Sequence, residues 1–226
     1  MSEEGLEQKY VKEAFDTNWV VPLGPNVNAF EEDLKKFVNS QENSSENPNR
    51  EIVALSAGTA AIHLALIACG VQAGDEVICQ SFTFCASANP VTYIGAQPVF
   101  IDSEKDSWNM DPSLLEQAII DRKAQTGKYP KAIIPVALYG MPYRIEQIMA
   151  IANKYGIPVI EDAAESMGSR WKGRVLGTFG DYGVLSFNGN KMITTSGGGA
   201  LICKDVEAKN KVMWLAPQAR EAYPYY

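Results

Sequence analysis

One histidine in 226 residues leaves little room for the commonest catalytic and metal-binding chemistry. His63 has no serine or cysteine partner that suggests a nucleophilic triad, and it lies in an apolar helical stretch, so it reads as a packing residue. The four cysteines, Cys69, Cys79, Cys85 and Cys203, form no Cys-x-x-Cys pair, which excludes a Cys/His zinc spacing. They suit a reduced, cytoplasmic setting. Positive charge is also short. Twenty Lys and Arg against 27 Asp and Glu give a net charge of −7, and no basic cluster occurs, which argues against a nucleic-acid partner. No apolar run approaches the ~20 residues that span a bilayer. The opening "MSEEGLEQKY" is too acidic and polar for a secretory signal.

What is present is the composition of a globular domain, 46% hydrophobic and 21% charged. Residues 1–40 read as a separate N-terminal segment: a short helix, an extended "WVVPLGPNV", then a helix over "AFEEDLKKFVNS". The polar "QENSSENPNRE" reads as a surface loop. Residues 41–226 form one large domain in which short apolar runs alternate with helical stretches. The runs "EIVALS", "EVICQ", "QPVFID", "KAIIPVAL", "IPVIED", "YGVLSF" and "GALICK" predict seven strands. "TAAIHLALIACG", "TFCASANPVTYIG", "DPSLLEQAIIDRKAQTG" and "RIEQIMAIANKYG" predict helices, the third opened by Asp111 and Pro112. Strands without polar alternation suit a mainly parallel sheet covered on both faces. Ligands of such α/β sheets bind beyond the carboxyl ends of the strands.

Four loops therefore matter. Ala57-Gly58-Thr59 follows the first strand and opens a helix. Glycine permits close backbone approach, and a helix start offers free N–H groups to an anion; an ordinary turn with a threonine cap explains the same residues. Asp162 ends an apolar strand, placed either to meet a cationic ligand group or to cap the next turn. "SFNGNK" brings Ser186 and Lys191 into a segment too rich in Gly and Asn for a helix. Lys191 there is either a reactive amine or a solvated loop residue. "SFTFCAS" places Phe82 and Phe84 at a loop-to-helix junction, for stacking on a planar ring or for the core. Taken together the loops supply an anion cradle, a carboxylate, an amine and an aromatic plate on one edge. That set matches the needs of pyridoxal 5′-phosphate.

The segments "LGPNVNAFEEDL", "ALSAGTAAIHLAL", "SFTFCASANPVTYIGAQPVFID", "AIIPVALYG", "VIEDAAESMGS" and "GDYGVLSFNGNKMITTSGGGAL" together resemble the DegT/DnrJ/EryC1/StrS family of sugar aminotransferases. The resemblance implies the three-layer α/β/α large domain of the type I pyridoxal-phosphate transferase fold. It further implies amino transfer from glutamate to a nucleotide-linked keto sugar, a UDP-4-keto sugar of surface-glycan synthesis, by a homodimer. Residue by residue, Lys191 is implied as the cofactor lysine and the proton shuttle. Asp162 partners the pyridine nitrogen, Gly58, Thr59 and Ser186 bind the phosphate, and Phe84 stacks on the ring. Glu165, where relatives often hold glutamine, falls near the ring's 3-hydroxyl. Asn188 stands where some relatives hold histidine. Sugar 3-dehydratases of the group carry histidine at the lysine position, so Lys191 speaks against that chemistry. Two alternatives stay open: another pyridoxal-phosphate enzyme of the fold (dehydratase, lyase or racemase), or a shortened, weakly active chain kept as a binding or oligomerisation module. The second arises because the smaller C-terminal domain that the resemblance implies is absent after "APQAREAYPYY".

Overall fold

A computed structural model describes residues 4–41 and 48–219 of the chain. Its elements run α1 (Leu6–Asp16), α2 (Pro25–Asn39), β1 (Glu51–Leu55), α3 (Gly58–Ala68), β2 (Glu76–Gln80), α4 (Asn89–Tyr93), β3 (Gln97–Ile101), α5 (Pro112–Thr126), β4 (Ala132–Ile134), α6 (Ile145–Tyr155), β5 (Ile160–Asp162), β6 (Arg170–Trp171), β7 (Arg174–Val175), β8 (Tyr182–Ser186), β9 (Gly199–Cys203) and α7 (Val206–Leu215). Each of the seven apolar runs contains one strand.

The ladders place these strands in a four-stranded group, β1-β9-β8-β5, and a three-stranded group, β3-β2-β4. Two isolated parallel bridges, Ile133 with Val159 and Val136 with Asp162, link β4 to β5 where the groups meet. One strand departs from the mainly parallel pattern. β2 runs parallel to β3 and β4, and β5 parallel to β8, but β9 is antiparallel to both β1 and β8. Residues 187–198 join β8 to β9 without any helix. A parallel neighbour is usually reached through a crossover helix, and this loop instead turns the chain back.

Helices cover both faces, and the strand alternation shows how. Val53, Val77, Ile134, Val184 and Leu201 point to one face, where they pack with Ala61, Ala65 and Leu66 of α3 and Val212 of α7. Their neighbours Ile78 and Ile133 point to the other face, against Leu115 and Ile119 of α5 and Ile148 of α6. Ile52, Leu185 and Ile202 on that second face receive Leu34 and Val38 of α2. Both faces being buried explains why the strand runs read as unbroken apolar stretches.

Local chemistry sets the helix ends. The Asp111 carboxylate accepts the Ser113 N–H at 2.7 Å and caps α5, and Gly127 and Gly156 close α5 and α6 in the left-handed region. α2 begins at Pro25, four residues before the sequence pattern suggested, because proline is favoured in the first helical turn. The stretch around Pro90 splits into a 3-10 turn, Cys85–Ser87, and the short α4. A hairpin, β6–β7, had no strand-like pattern in the sequence. Its two-residue turn, Lys172-Gly173, has positive φ at both positions (50° and 82°), as a tight hairpin requires.

Candidate active site

The parallel strands β2, β4, β5 and β8 end on one edge, and the loops there surround a cavity of about 240 Å3. Gly58, Thr59, Phe84, Asp162, Glu165, Ser186, Asn188 and Lys191, separated by more than 130 positions from first to last, all line it.

α3 reaches the cavity through its amino end. No side chain caps that end: Ala57 is extended and has no side-chain acceptor for the N–H groups of the first turn. The N–H groups of the first turn, at Gly58 and Thr59, therefore lack the usual side-chain acceptor, and they sit at the positive end of the helix dipole. Two glycines let the helix start there. A Cβ on Gly58 would lie 3.1 Å from Cβ of Ser186. A Cβ on Gly199 would lie 2.3 Å from the Ala57 carbonyl carbon and 2.4 Å from the Gly58 nitrogen. Gly199 is thus the residue over which the helix start rests. The sequence signal for it is the glycine triplet Gly197-Gly198-Gly199.

β5 ends in two acids with opposite fates. Asp162 is 6% exposed and faces the cavity. Its Oδ2 accepts from the Ser87 hydroxyl at 2.6 Å and its Oδ1 from the Ala164 N–H at 3.2 Å. Burial pushes its carboxyl up from the usual range; the two hydrogen bonds and the Lys191 charge oppose that, while Glu165 adds to it. Glu161, one residue earlier, points to the other face. It accepts N–H groups from Gly177 at 3.1 Å and from Phe179 and Gly180 at 2.5 Å each, fixing that loop. Only the period-two alternation of a strand separates a cavity group from a structural one.

Lys191 sits in the loop after β8. The loop folds back on Phe187, whose N–H donates to Gly198 O at 2.9 Å and whose carbonyl accepts the Thr195 N–H at 3.0 Å. Phe187 is itself buried, edge-on to Phe30 of α2 at 5.3 Å. On this anchored loop the Lys191 side chain is 13% exposed, which sets it apart from a solvated lysine. Its Nζ lies 3.3 Å from Oε1 of Glu165. Glu165 Oε2 in turn accepts the Tyr139 N–H at 2.9 Å. Tyr139 has φ 50°, an unusual conformation for a non-glycine residue.

The two phenylalanines divide. Phe84, 68% exposed, stands at the cavity lip, whereas Phe82 turns to Trp108 at 5.8 Å. Two buried amides fix the surrounding loops. Gln80 donates to Phe82 O at 2.8 Å and accepts the Met110 N–H at 2.9 Å; Asn109 accepts the Leu138 N–H and donates to Met141 O, both at 3.1 Å. Asn188 donates to Asn190 Oδ1 at 2.9 Å across the loop. His63 packs edge-on to Tyr93 at 5.8 Å, on α3 and outside the cavity lining. Among the site residues that carry no signal of their own in the sequence, Ser87 is the most consequential. A lone serine in "FCASANP" looks like turn material, and its partner lies 75 positions on.

The donor set suits a planar cation with an anionic tail. A buried, under-bonded carboxylate gains most from a cationic N–H. An uncapped helix start with a serine beside it suits a phosphate. An amine and an exposed aromatic ring complete what pyridoxal phosphate needs.

Comparison with known proteins agrees. EpsN of Bacillus subtilis strain 168, provisionally named a pyridoxal phosphate-dependent aminotransferase, is 52% identical over 222 residues, which is 98% of this chain and 55% of EpsN. GDP-perosamine synthase of Escherichia coli O157:H7 is 38% identical over 98% of the chain and 57% of that protein. The chain therefore spans little more than half the length of these relatives. Among solved structures, a DegT DnrJ EryC1 StrS aminotransferase from Brucella abortus superposes with a TM-score of 0.84 at 30% identity, covering all of this chain and 61% of that one. NtdA of Bacillus subtilis, with bound cofactor PMP, superposes at 0.81 with 28% identity, over 99% of this chain and 49% of its own. The fold is that of the type I pyridoxal-phosphate transferases; EpsN is named for pyridoxal phosphate, and NtdA holds PMP. The sequence pattern of one family matches residues 2–223, nearly end to end, and the chain belongs to the DegT/DnrJ/EryC1/StrS aminotransferase family.

Proposed function

We propose that this chain holds the cofactor of a pyridoxal phosphate-dependent aminotransferase that moves an amino group from glutamate to a nucleotide-linked keto sugar. The carrying observation is the convergence of the Asp162 carboxylate, the Lys191 amine and the uncapped start of α3 on one cavity. Pyridoxal phosphate, when bound, carries the amino group and spreads the charge that develops at the carbon losing its proton. The chain's own residues do the rest. Gly58 and Thr59 N–H groups and the Ser186 hydroxyl bind the phosphate. Asp162 holds the proton on the ring nitrogen. Phe84 covers one face of the ring. Lys191 anchors the cofactor and moves the proton at the substrate carbon. Glu165 holds Lys191 in place, and Asn188 steadies the loop that bears it.

The substrate class rests on relatives. One is named GDP-perosamine synthase, and one from Pseudomonas aeruginosa, 38% identical over 200 residues, is named UDP-2-acetamido-2-deoxy-3-oxo-D-glucuronate aminotransferase. Within that class we favour a UDP-linked 4-keto sugar of surface-glycan synthesis. The exposed Phe84, Tyr139, Met192 and Ile193 support a homodimer whose second subunit covers apolar side chains near the cavity. The four free cysteines suit a reducing cytoplasm, and among the described residues no helix is long and apolar enough to cross a membrane.

A second reading has one observation behind it. Residues 1–226 match little more than half the length of the relatives, and in this reading the stretch by itself holds the cofactor without carrying out full turnover. Amino transfer from glutamate to a panel of UDP- and GDP-linked keto sugars tests both readings. Transfer that the Lys191→Ala variant loses supports the first, and cofactor uptake without transfer supports the second. Absence of both rejects the assignment.

A further inference from the structure

The hydrogen bond on Asp162 does not stop at Ser87. The Ser87 hydroxyl also lies 2.9 Å from Thr83 Oγ1, and either oxygen could by itself be the donor there. Valence settles the direction. An ionised carboxylate only accepts, and a hydroxyl has one proton. With the Ser87 proton given to Asp162 at 2.6 Å, Thr83 must donate to Ser87. The chain of bonds runs one way, Thr83 to Ser87 to Asp162, for as long as Asp162 is charged. Ser87 is 1% exposed, on the 3-10 turn that follows β2, and both Ser87 and Thr83 line the cavity, Thr83 being the less buried of the two. Two hydroxyls thus connect the cavity wall with its buried acid.

We propose that Ser87, oriented by Thr83, is a positioning residue that fixes the Asp162 carboxylate in one rotamer as a charged acceptor for the ring nitrogen of the cofactor. The proposal rests on the functional reading above for the identity of that ring, and on geometry alone for the hold on Asp162. The relay is needed because Asp162 has few other supports. Its remaining bond is the longer one from Ala164 N–H, at 3.2 Å. The charged groups that act on it are Lys191, which favours the ionised form, and Glu165, which opposes it. Cys79, buried on β2, has its thiol pushed up to about 12, first by burial and then by Asp162, so it stays neutral. Removing the serine leaves a buried carboxylate with a single long bond, and such a group takes up a proton instead. A carboxyl group that is already protonated no longer pairs with a cationic N–H.

The test reads Asp162 directly, in the chain without cofactor. The infrared band of a protonated carboxyl is followed against pH, and its absence in Asp162→Asn assigns it. Ser87→Ala moves the midpoint of that band to higher pH. Thr83→Val, nearly isosteric and at the cavity wall, moves it the same way by less, and Thr83→Ser restores it. In the loaded protein, pyridoxal phosphate binds about tenfold more weakly to Ser87→Ala and roughly threefold more weakly to Thr83→Val. Should Ser87→Ala fail to fold, the Thr83 pair carries the test alone. An unmoved midpoint in folded Ser87→Ala and Thr83→Val overturns the relay. A shifted midpoint in a chain that takes up no pyridoxal phosphate supports the hold on Asp162 and overturns the functional reading instead.

Discussion

Glu161 and Asp162 are neighbours in sequence, both buried and both at the end of β5, yet they belong to two different regions. On one face, three backbone N–H groups converge on Glu161 and close the loop of residues 177–180 around it. On the other, Asp162 has one serine hydroxyl and one long bond from its own turn, and it looks into a cavity. Burial pushes both carboxyls up. The difference is in what answers that burial. Glu161 is satisfied by the protein and serves stability. Asp162 is left short by the protein, and the shortage is what a ligand fills.

Breaking the satisfied side has the largest effect. Glu161→Ala leaves three backbone N–H groups, two of them buried, without their acceptor and lowers unfolding free energy by roughly 3–5 kcal/mol in a urea titration. A third region extends the comparison. Gly199→Ala drives a methyl into the Ala57–Gly58 backbone, so we expect a loss of about 1–3 kcal/mol together with weaker binding of inorganic phosphate, measured by calorimetry. On the unsatisfied side the sign reverses. A carboxyl whose pKa is raised on folding binds protons more tightly in the folded state, so its cost grows as pH rises from the unfolded carboxylate range through the folded pKa. Asp162→Asn removes that cost. It raises the melting temperature at neutral pH, by about 1 kcal/mol in stability terms, and the gain vanishes below about pH 4, where Asp162 is protonated in both states. Cofactor uptake falls in the same variant, as expected where stability and function compete. Lys172, paired with Glu146 on the surface, is the contrast that should do nothing: Lys172→Ala changes stability by less than about 0.5 kcal/mol.

Much of this was readable beforehand, for physical reasons. Strands buried on both faces announce themselves as apolar runs, and Asp111, Pro112 and Gly127 mark the ends of α5 by local rules that need no tertiary context. The cavity loops were legible because glycine, asparagine and a lone lysine are costly in such company unless the backbone or a ligand uses them. Strand direction was not legible. Nothing in "GALICK" says that β9 runs against its neighbours; the helix-free return from β8 goes with that reversal. Nor, from the local pattern alone, is the orientation of paired residues, which only the family resemblance assigned. Which of Glu161 and Asp162, or of Phe82 and Phe84, faces the cavity depends on where the strand or turn begins, to one residue. Ser87 stayed hidden because its meaning lies in Asp162, far along the chain, and the β6–β7 hairpin because two-residue strands carry no periodicity.

The central claim is that Lys191 is a partly buried amine placed to take a pyridine aldehyde held by Asp162 and the start of α3. Its most direct test is to incubate the protein with pyridoxal phosphate, reduce with borohydride, and map the labelled peptide by mass spectrometry. The account predicts one adduct, on Lys191, lost in Lys191→Ala and diminished in Asp162→Asn. Label spread over exposed lysines such as Lys172 and Lys204, with Lys191 unmodified, would contradict it.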